Sequence, residues 1–173
     1  GEETEALVCR MGQTMCSRGP DRSATFRDGD VAFHHNRLSV MDPENGHQPM
    51  TVYHDRRAYT IVYNGEIYNT VSLARELGEH GVNLHTRCDT EAVVYAYAVF
   101  GEDCLSHLSG IFAFAIWNEA TKELFVARDR CGVKPFFYSV IDGNFIFASE
   151  IKTLFASGIV KPRITKEGIS DLM

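Results

Sequence analysis

Long apolar runs are missing from this chain of 173 residues. No apolar stretch approaches the roughly 20 residues that a helix needs to cross a bilayer. The opening residues, GEETEALVCRMGQTM, carry acidic side chains where a signal peptide would have a basic segment. We therefore expect no membrane partner and no export.

Cysteine is sparse and forms no recognisable framework. The 5 cysteines are an odd number, and no two of them stand in a CxxC pair. This pattern favours reduced thiols in a cytoplasmic protein over a set of disulfides. His85 and Cys88 could be two metal ligands, but no second pair completes a site, so we predict no metal centre.

Positive charge is also scarce, because 17 lysines and arginines stand against 23 aspartates and glutamates, for a net charge of −6. Domains that bind nucleic acid usually carry a basic patch. The nearest cluster is Arg56-Arg57, which we interpret as a solvated strand end. We expect no nucleic-acid partner.

The apolar residues that are present predict one folded domain with helices and strands. Helices are predicted over residues 2–17, 70–80, 89–100 and 150–156, with another starting at Thr165. Strands are predicted over residues 31–40 and 57–63, as a pair within 110–129, and as a hairpin within 135–149 around Asp142-Gly143.

The strands indicate the fold class. IFAFAIW and FIFAS are apolar at consecutive positions, which is typical of strands that are covered on both faces. The short connections favour antiparallel pairing. We therefore predict an α+β fold in which two antiparallel sheets pack together with helices outside. The domain is predicted to cover residues 1–157, and residues 158–173 to begin a linker toward another domain.

The stretch VYNGEIYN, residues 62–69, places an amide, a bare backbone and a carboxylate at the predicted end of a strand. A carbonyl under attack develops negative charge on its oxygen, and fixed donors stabilise that charge. The side-chain amide of Asn64 and the backbone N–H of Gly65 could form such a two-donor hole, with Gly65 letting substrate approach closely. A hairpin turn is the plainer explanation of Asn-Gly.

Two further charged residues complete a candidate site. In HHNRLSVMD, residues 34–42, alternation places His35 and Arg37 on one strand face, where Arg37 could bind a carboxylate or pair with Asp42. Asp89 starts a predicted helix, where it could cap that helix or bind an ammonium group. Such a set fits an amino acid with a reacting side-chain carbonyl, but it contains no nucleophile.

Seven short motifs follow one another in order along the chain. They are SRGPD (17–21), HHNRLSVMD (34–42), VYNGEIYN (62–69), CDTE (88–91), SGIFAFAIW (109–117), ARDRCGVKPFFY (127–138) and ASEIKTLF (148–155). Together they resemble the glutaminase domain of glutamine-hydrolysing asparagine synthetases, which are class II glutamine amidotransferases of the N-terminal-nucleophile (Ntn) hydrolase type. The resemblance covers nearly the whole chain.

The resemblance implies a four-layer αββα sandwich of two antiparallel sheets, with Asn64 and Gly65 as the oxyanion hole. The glutamine-binding residues that it implies are Arg37, Val40, Asn64, Gly65, Glu66 and Asp89, whereas Tyr68 and Asn69 hold the shape of the loop. By the same resemblance, the domain itself is expected to need no cofactor. The resemblance assigns ATP and magnesium to a C-terminal synthetase domain of the parent chain. A homodimer is one possible assembly of the protein.

The chain departs from the family pattern at its start. The family begins with Cys-Gly-Ile, and that cysteine attacks the glutamine amide. This sequence instead begins with Gly1 and an acidic helix. We therefore expect the chain alone not to hydrolyse glutamine. Two alternatives stay open, a non-catalytic glutamine-binding or interaction module, and an amidotransferase domain that serves another acceptor.

Overall fold

Five helices and eight strands make up the part of the chain that the computed structural model describes, which is residues 1–38, 42 and 44–163. The helices are α1 (Glu2–Gln13), α2 (Thr70–Glu79), α3 (Asp89–Phe100), α4 (Cys104–His107) and α5 (Ile151–Ala156). The strands are β1 (Arg22–Asp28), β2 (Val31–Arg37), β3 (Met50–His54), β4 (Arg57–Ile67), β5 (Gly110–Asn118), β6 (Glu123–Arg128), β7 (Phe137–Ile141) and β8 (Asn144–Ala148). Short 3-10 helices cover Cys16–Arg18 and Gly101–Asp103.

The central sheet contains β3, β4, β5 and β6 in that order, and all its pairs are antiparallel. Its longest strand, β4, pairs with β5 from Tyr59 opposite Asn118 to Ile67 opposite Gly110. One face of the sheet packs against α2 and α3. The core on that face joins Ile61 and Phe114 of the sheet to Leu77 and other residues of the helices.

The opposite face of the central sheet packs against two antiparallel hairpins, β1-β2 and β7-β8. Phe33 of β2 and Phe147 of β8 meet Val62, Ala115 and Trp117 of the central sheet in one cluster. Residues Phe112 to Asn118 of β5 are all buried, because both faces of that strand are covered. The apolar runs in the sequence therefore predicted a doubly covered sheet correctly.

Helices α1 and α5 cover the outer side of the two hairpins. Met11 of α1 and Leu154 of α5 pack with Ile146 and Ala148 of β8. The layer order is α2 and α3, the central sheet, the two hairpins, then α1 and α5. The prediction of an α+β, antiparallel sandwich with flanking helices is confirmed, and the second sheet layer consists of two hairpins.

The sequence located some elements better than others. Helix α3 has its predicted bounds, and Asp142 and Gly143 adopt φ angles of 50° and 78° in the predicted turn of the β7-β8 hairpin. Helix α1 ends at Gln13, before the predicted residue 17, and β4 runs to Ile67, beyond the predicted residue 63. Strands β1 and β3 and the one-turn helix α4 were not predicted.

Several expectations concern the ends of elements. The part of the predicted strand 31–40 beyond Leu38, and the helix predicted from Thr165, lie outside the described residues. The domain boundary at residue 157 stays a prediction, although Ile159 and Val160 pack against the cluster of Met11 and Leu154.

None of the helices in the described ranges is long and apolar enough to cross a membrane.

Gly12 lies where α1 packs on β2, and Gly78 of α2 is a matched glycine on an open helix face. A Cβ at Gly12 would overlap the ring of His34, whereas a Cβ at Gly78 of α2 would meet nothing within 4 Å. We expect Gly12→Ala to lower the free energy of unfolding by about 1–3 kcal/mol, because overpacking displaces the ring. Gly78→Ala should raise that free energy by about 0.5 kcal/mol through helix propensity.

Urea unfolding of both variants and the wild type measures the two changes. The matched control is Gly78→Ala, because it makes the same chemical change on an open helix face. An equal stabilisation by both substitutions would show that α1 does not rest on His34.

Candidate functional site

The Asn64-Gly65 pair lies inside a strand. Both residues belong to β4, where Asn64 lies opposite Ala113 and Gly65 opposite Phe112 of β5. Gly65 has no positive φ angle. The hairpin-turn explanation of this dipeptide is therefore wrong, because the strand continues past its apolar run as far as Ile67.

One edge of β4 loses its neighbouring strand near this point. Pairing with β3 ends at Met50, which lies opposite Ile61. Beyond it, the side chain of Gln48 takes the place of a strand. Its Oε1 accepts a hydrogen bond from the Tyr63 backbone N–H at 2.6 Å, and its Nε2 donates to the Tyr63 carbonyl at 3.1 Å. Gln48 thus holds the backbone immediately before Asn64.

The same edge is held again four residues later. The backbone N–H of Ile67 donates to Oδ2 of Asp89 at 3.1 Å. Backbone N–H groups of alternate residues point to the same edge of an antiparallel strand. The N–H of Gly65 therefore points to this edge, between the anchored Tyr63 and Ile67, where β3 no longer covers it.

The side chains of Asn64 and Glu66 point to the face of the central sheet that carries the two hairpins. Alternation places them with Val62, which packs toward the two hairpins. Asn64 is half-buried and Glu66 is exposed. The structure gives the Asn64 side-chain amide no hydrogen-bond partner within the described ranges, so this amide is available to a ligand.

The missing side chain of Gly65 makes room for the protein itself. A Cβ at this position would lie 2.6 Å from the Ile111 carbonyl oxygen, 2.8 Å from the Tyr63 hydroxyl and 2.9 Å from the Phe112 Cα. A glycine is therefore required by packing. Access to the Gly65 N–H is from the strand edge.

Asp89 does not act as a cap. It is the first residue of α3, comes directly after the N-cap Cys88 and is 5% exposed. Its Oδ2 accepts hydrogen bonds from the Tyr63 hydroxyl at 2.6 Å and from the Ile67 N–H at 3.1 Å. The capping explanation is therefore wrong, and the carboxylate instead fastens the start of α3 to β4.

Arg37 ends β2 and is 7% exposed. Its Nη2 donates to the Asp42 carbonyl oxygen at 2.8 Å, and its Nη1 donates to Nδ1 of His47 at 3.3 Å. A Cβ at Gly46 would lie 2.6 Å from Nη2 of Arg37 and 3.1 Å from Sγ of Cys88. The guanidinium is therefore separated by one glycine from the residue that precedes Asp89.

His47 lies between two guanidinium groups. Arg22 is the cross-strand partner of Arg37, and its Nη1 lies 3.1 Å from Nδ1 and 3.0 Å from Nε2 of His47. Burial, together with the charges of Arg22 and Arg37, lowers the pKa of His47. A neutral imidazole can accept from Arg37, so His47 helps to hold this guanidinium in place.

Cys88 is close to these groups but is not a suitable nucleophile. Its Sγ is buried and donates to Oγ1 of Thr90 at 3.2 Å. Burial is the main cause that raises the pKa of this thiol. Thiolates are the reactive form of cysteine, so Cys88 is expected to be inert at neutral pH.

The structure thus brings most of the predicted residues to one place. Asn64, Gly65, Glu66 and Asp89 lie at or beside the open edge of β4, and Arg37 adjoins the start of α3. Val40 lies outside the described residues. Asn69 bridges the His107 carbonyl at 2.8 Å and the Ser109 N–H at 2.9 Å, which agrees with its predicted role in holding the loop.

Three residues with roles at this site escaped the sequence-based selection. They are His47, Gln48 and Tyr63. His47 and Gln48 belong to a loop without periodicity, and Tyr63 has the character of an ordinary apolar strand residue. No local signal marks them, because their partners lie on other elements.

His35 is half-buried and lies on the same face of β2 as Arg37. Its Nδ1 is buried without a hydrogen-bond partner within the described ranges. Burial is the main cause that lowers the pKa of His35 from 6.5 to about 4, and the charges of Arg37 and His34 add to the shift. The imidazole is therefore neutral at physiological pH.

This shift generates a pH prediction. The unfolded chain takes up a proton on His35 near pH 6.5, but the folded chain does so only near pH 4. Stability from this group is therefore present at neutral pH and is lost as pH falls through that window. We expect the loss to amount to about 3 kcal/mol in the wild type and to be absent from His35→Gln.

Urea unfolding between pH 7.5 and 4 measures the difference, with His54→Gln as a control that removes an imidazole at the end of β3. Parallel stability curves for the wild type and His35→Gln would contradict the neutral state of His35 in the folded chain.

The comparisons with known proteins agree with this geometry. A family described as the glutamine amidotransferase domain matches residues 1–173. Glutamine-hydrolyzing asparagine synthetase 3 of Bacillus subtilis (strain 168) is 46% identical over 163 residues, which cover 94% of this chain and 26% of that protein. The nodule asparagine synthetase of Pisum sativum is 32% identical over 148 residues, covering 85% of this chain and 25% of that protein.

A solved structure shows the same fold. The glutamine phosphoribosylpyrophosphate amidotransferase of B. subtilis, complexed with ADP and GMP, superimposes with a TM-score of 0.64 at 25% sequence identity. The match covers 75% of this chain and 30% of that chain. The chain spans about a quarter of the length of the asparagine synthetases that it matches. Together, the family match and the shared fold show that the chain belongs to the glutamine amidotransferase domain family.

Proposed function

We propose that this chain is the glutaminase domain of a longer asparagine synthetase, in which it binds L-glutamine and stabilises the hydrolysis of the side-chain amide by the family's N-terminal cysteine. The observation that carries the proposal is the edge of β4 at Asn64-Gly65 that β3 does not cover, which lies beside the carboxylate of Asp89, while Arg37 adjoins the residue before Asp89. An amino acid with an amide side chain presents the complementary charges and the carbonyl.

Arg37 binds the α-carboxylate of glutamine in this proposal. A planar guanidinium suits a carboxylate, and two of its nitrogens are already held by Asp42 and His47. Asp89 binds the α-ammonium group, since its Oδ2 is occupied by two donors while Oδ1, among the described residues, has only the Cys88 thiol at 3.9 Å. Contacts of glutamine with Val40 and Glu66 stay predictions from the family resemblance.

Asn64 and Gly65 stabilise the oxyanion. The Asn64 side-chain amide is without a partner within the described ranges, and the Gly65 N–H lies on the edge of β4 that β3 does not reach. Donors that are already fixed before reaction stabilise a developing negative charge without reorganisation. Gln48 and Asp89 supply that fixation, because they hold the backbone on either side of the pair.

The reaction takes the route that the family implies. The family's N-terminal cysteine attacks the amide carbon as a thiolate, the proton of its thiol passes to the amide nitrogen, and the tetrahedral intermediate collapses to a thioester and ammonia. Water then hydrolyses the thioester to glutamate and regenerates the thiol. The chain's own residues bind glutamine at both α-groups and stabilise the oxyanion in each addition step.

The names of the relatives support a destination for the ammonia. They are glutamine-hydrolyzing asparagine synthetases. We infer that a C-terminal synthetase domain of the parent chain uses the ammonia to convert aspartate to asparagine with ATP and magnesium, and that the glutaminase domain itself needs no cofactor. A homodimer, a cytoplasmic location and the lack of nucleic-acid or membrane partners stay predictions from the sequence.

Substitutions in the natural full-length chain separate binding from catalysis. We expect Asn64→Ala to lower kcat about 10²- to 10³-fold with little change in KM, because an oxyanion donor acts in the transition state. Arg37→Lys should mainly raise KM, because a carboxylate contact acts equally on substrate and transition state and lysine cannot form the bidentate contact.

Ammonia release at varied glutamine concentrations measures both parameters. Asn83→Ala is the matched control, since it removes an exposed amide in the loop between α2 and α3. Unchanged turnover in Asn64→Ala would exclude its oxyanion role. Glutamine binding without ammonia release in the wild type would favour the alternative of a non-catalytic glutamine-binding module.

A further inference from the structure

The two carboxylate oxygens of Asp89 have different surroundings. Oδ2 accepts hydrogen bonds from the Tyr63 hydroxyl at 2.6 Å and from the Ile67 N–H at 3.1 Å. Oδ1 is approached at 3.9 Å by the Cys88 thiol, which is a weak donor. One oxygen is therefore occupied by two good donors, and the other keeps its capacity to accept.

Because Asp89 is buried, losing a hydrogen-bond donor to it is costly. Asp89 and Tyr63 are each 5% exposed, so bulk water does not replace a lost donor. A buried carboxylate depends on hydrogen bonds from the protein. Burial, and then the charge of Asp89, raise the pKa of Tyr63, so its hydroxyl stays protonated and donates at every physiological pH.

Tyr63 reaches Asp89 because of two neighbours. Gln48 holds its backbone at both the N–H and the carbonyl. The Tyr63 hydroxyl lies 2.8 Å from the position that a Cβ of Gly65 would take. The phenol therefore occupies the space that glycine leaves on this face of β4, and it meets the carboxylate of α3 there.

We propose that Tyr63 is a positioning residue for Asp89, which fixes Oδ2 so that Oδ1 faces the α-ammonium group of the bound amino acid. This inference rests on the proposed function, in which Asp89 binds that ammonium group. It assigns to Tyr63 the site's preference for an amino acid over the same molecule without its amino group.

Removal of the hydroxyl leaves the Ile67 N–H as the only good donor to Oδ2 among the described residues. The carboxylate then turns to recover a second donor, and the charge-assisted bond that Oδ1 accepts from the ligand's ammonium group loses its geometry. We expect Tyr63→Phe to weaken binding of L-glutamate about 10- to 100-fold. Binding of glutarate should not change, because glutarate is glutamate without the ammonium group.

The test measures binding of L-glutamate and glutarate by calorimetry to the natural full-length chain. Neither ligand has an amide, so the measurement does not depend on turnover. The variants are Tyr63→Phe, Asp89→Asn and the double variant, with Tyr59→Phe as the matched control. Tyr59 is also a buried tyrosine of β4 on the same face, and its substitution should leave the preference for glutamate intact.

The outcomes separate the two levels of the proposal. Loss of the preference for glutamate in Tyr63→Phe supports the positioning role if the double variant binds glutamate no more weakly than Asp89→Asn does. An intact preference in Tyr63→Phe alongside a lost preference in Asp89→Asn overturns the role of Tyr63 alone. An intact preference in Asp89→Asn overturns the assignment of the ammonium group to Asp89. Tyr63→Met also lacks the hydroxyl and must show the same loss if Tyr63→Phe is poorly folded.

Discussion

The bridge from Asp89 to β4 is the contact on which the site depends. A single buried carboxylate at the start of α3 accepts bonds from the Tyr63 hydroxyl and the Ile67 N–H. These two donors lie on either side of Gly65. The bridge therefore fixes Asn64 and Gly65, the proposed oxyanion donors, relative to Asp89, the proposed ammonium acceptor, and it joins the start of α3 to the edge of β4.

Arg37, the proposed carboxylate-binding residue, is held by a second set of bonds. Asp42 connects Arg37 to the segment before α3, because its carbonyl accepts from the guanidinium at 2.8 Å and its Oδ2 accepts from the Arg87 N–H at 3.0 Å. That N–H is the main cause that holds the pKa of Asp42 below its ordinary value. Both charged ends of the proposed glutamine site are thus connected to the start of α3.

The layers explain why these bonds can be specific. Strand β5 is buried on both faces, and β4 pairs with it from Tyr59 to Ile67. The strand that carries Asn64 and Gly65 therefore cannot slip without exposing apolar side chains. Hydrophobic burial sets the register, and the polar contacts of Gln48 and Asp89 then act on a backbone that is already positioned.

The sequence by itself determined the sandwich, because apolar runs, turn residues and helical periodicity are local properties that each stretch carries with it. It also identified Arg37, Asn64, Gly65 and Asp89, whose residue types suit amide chemistry. Only the tertiary structure decided between turn and strand at Gly65, and between cap and bridge at Asp89. The partners of these residues, Tyr63 and Gln48, are distant in the chain or unremarkable in type. A hydrogen bond between such residues depends on the packing of whole elements, and no local pattern records it.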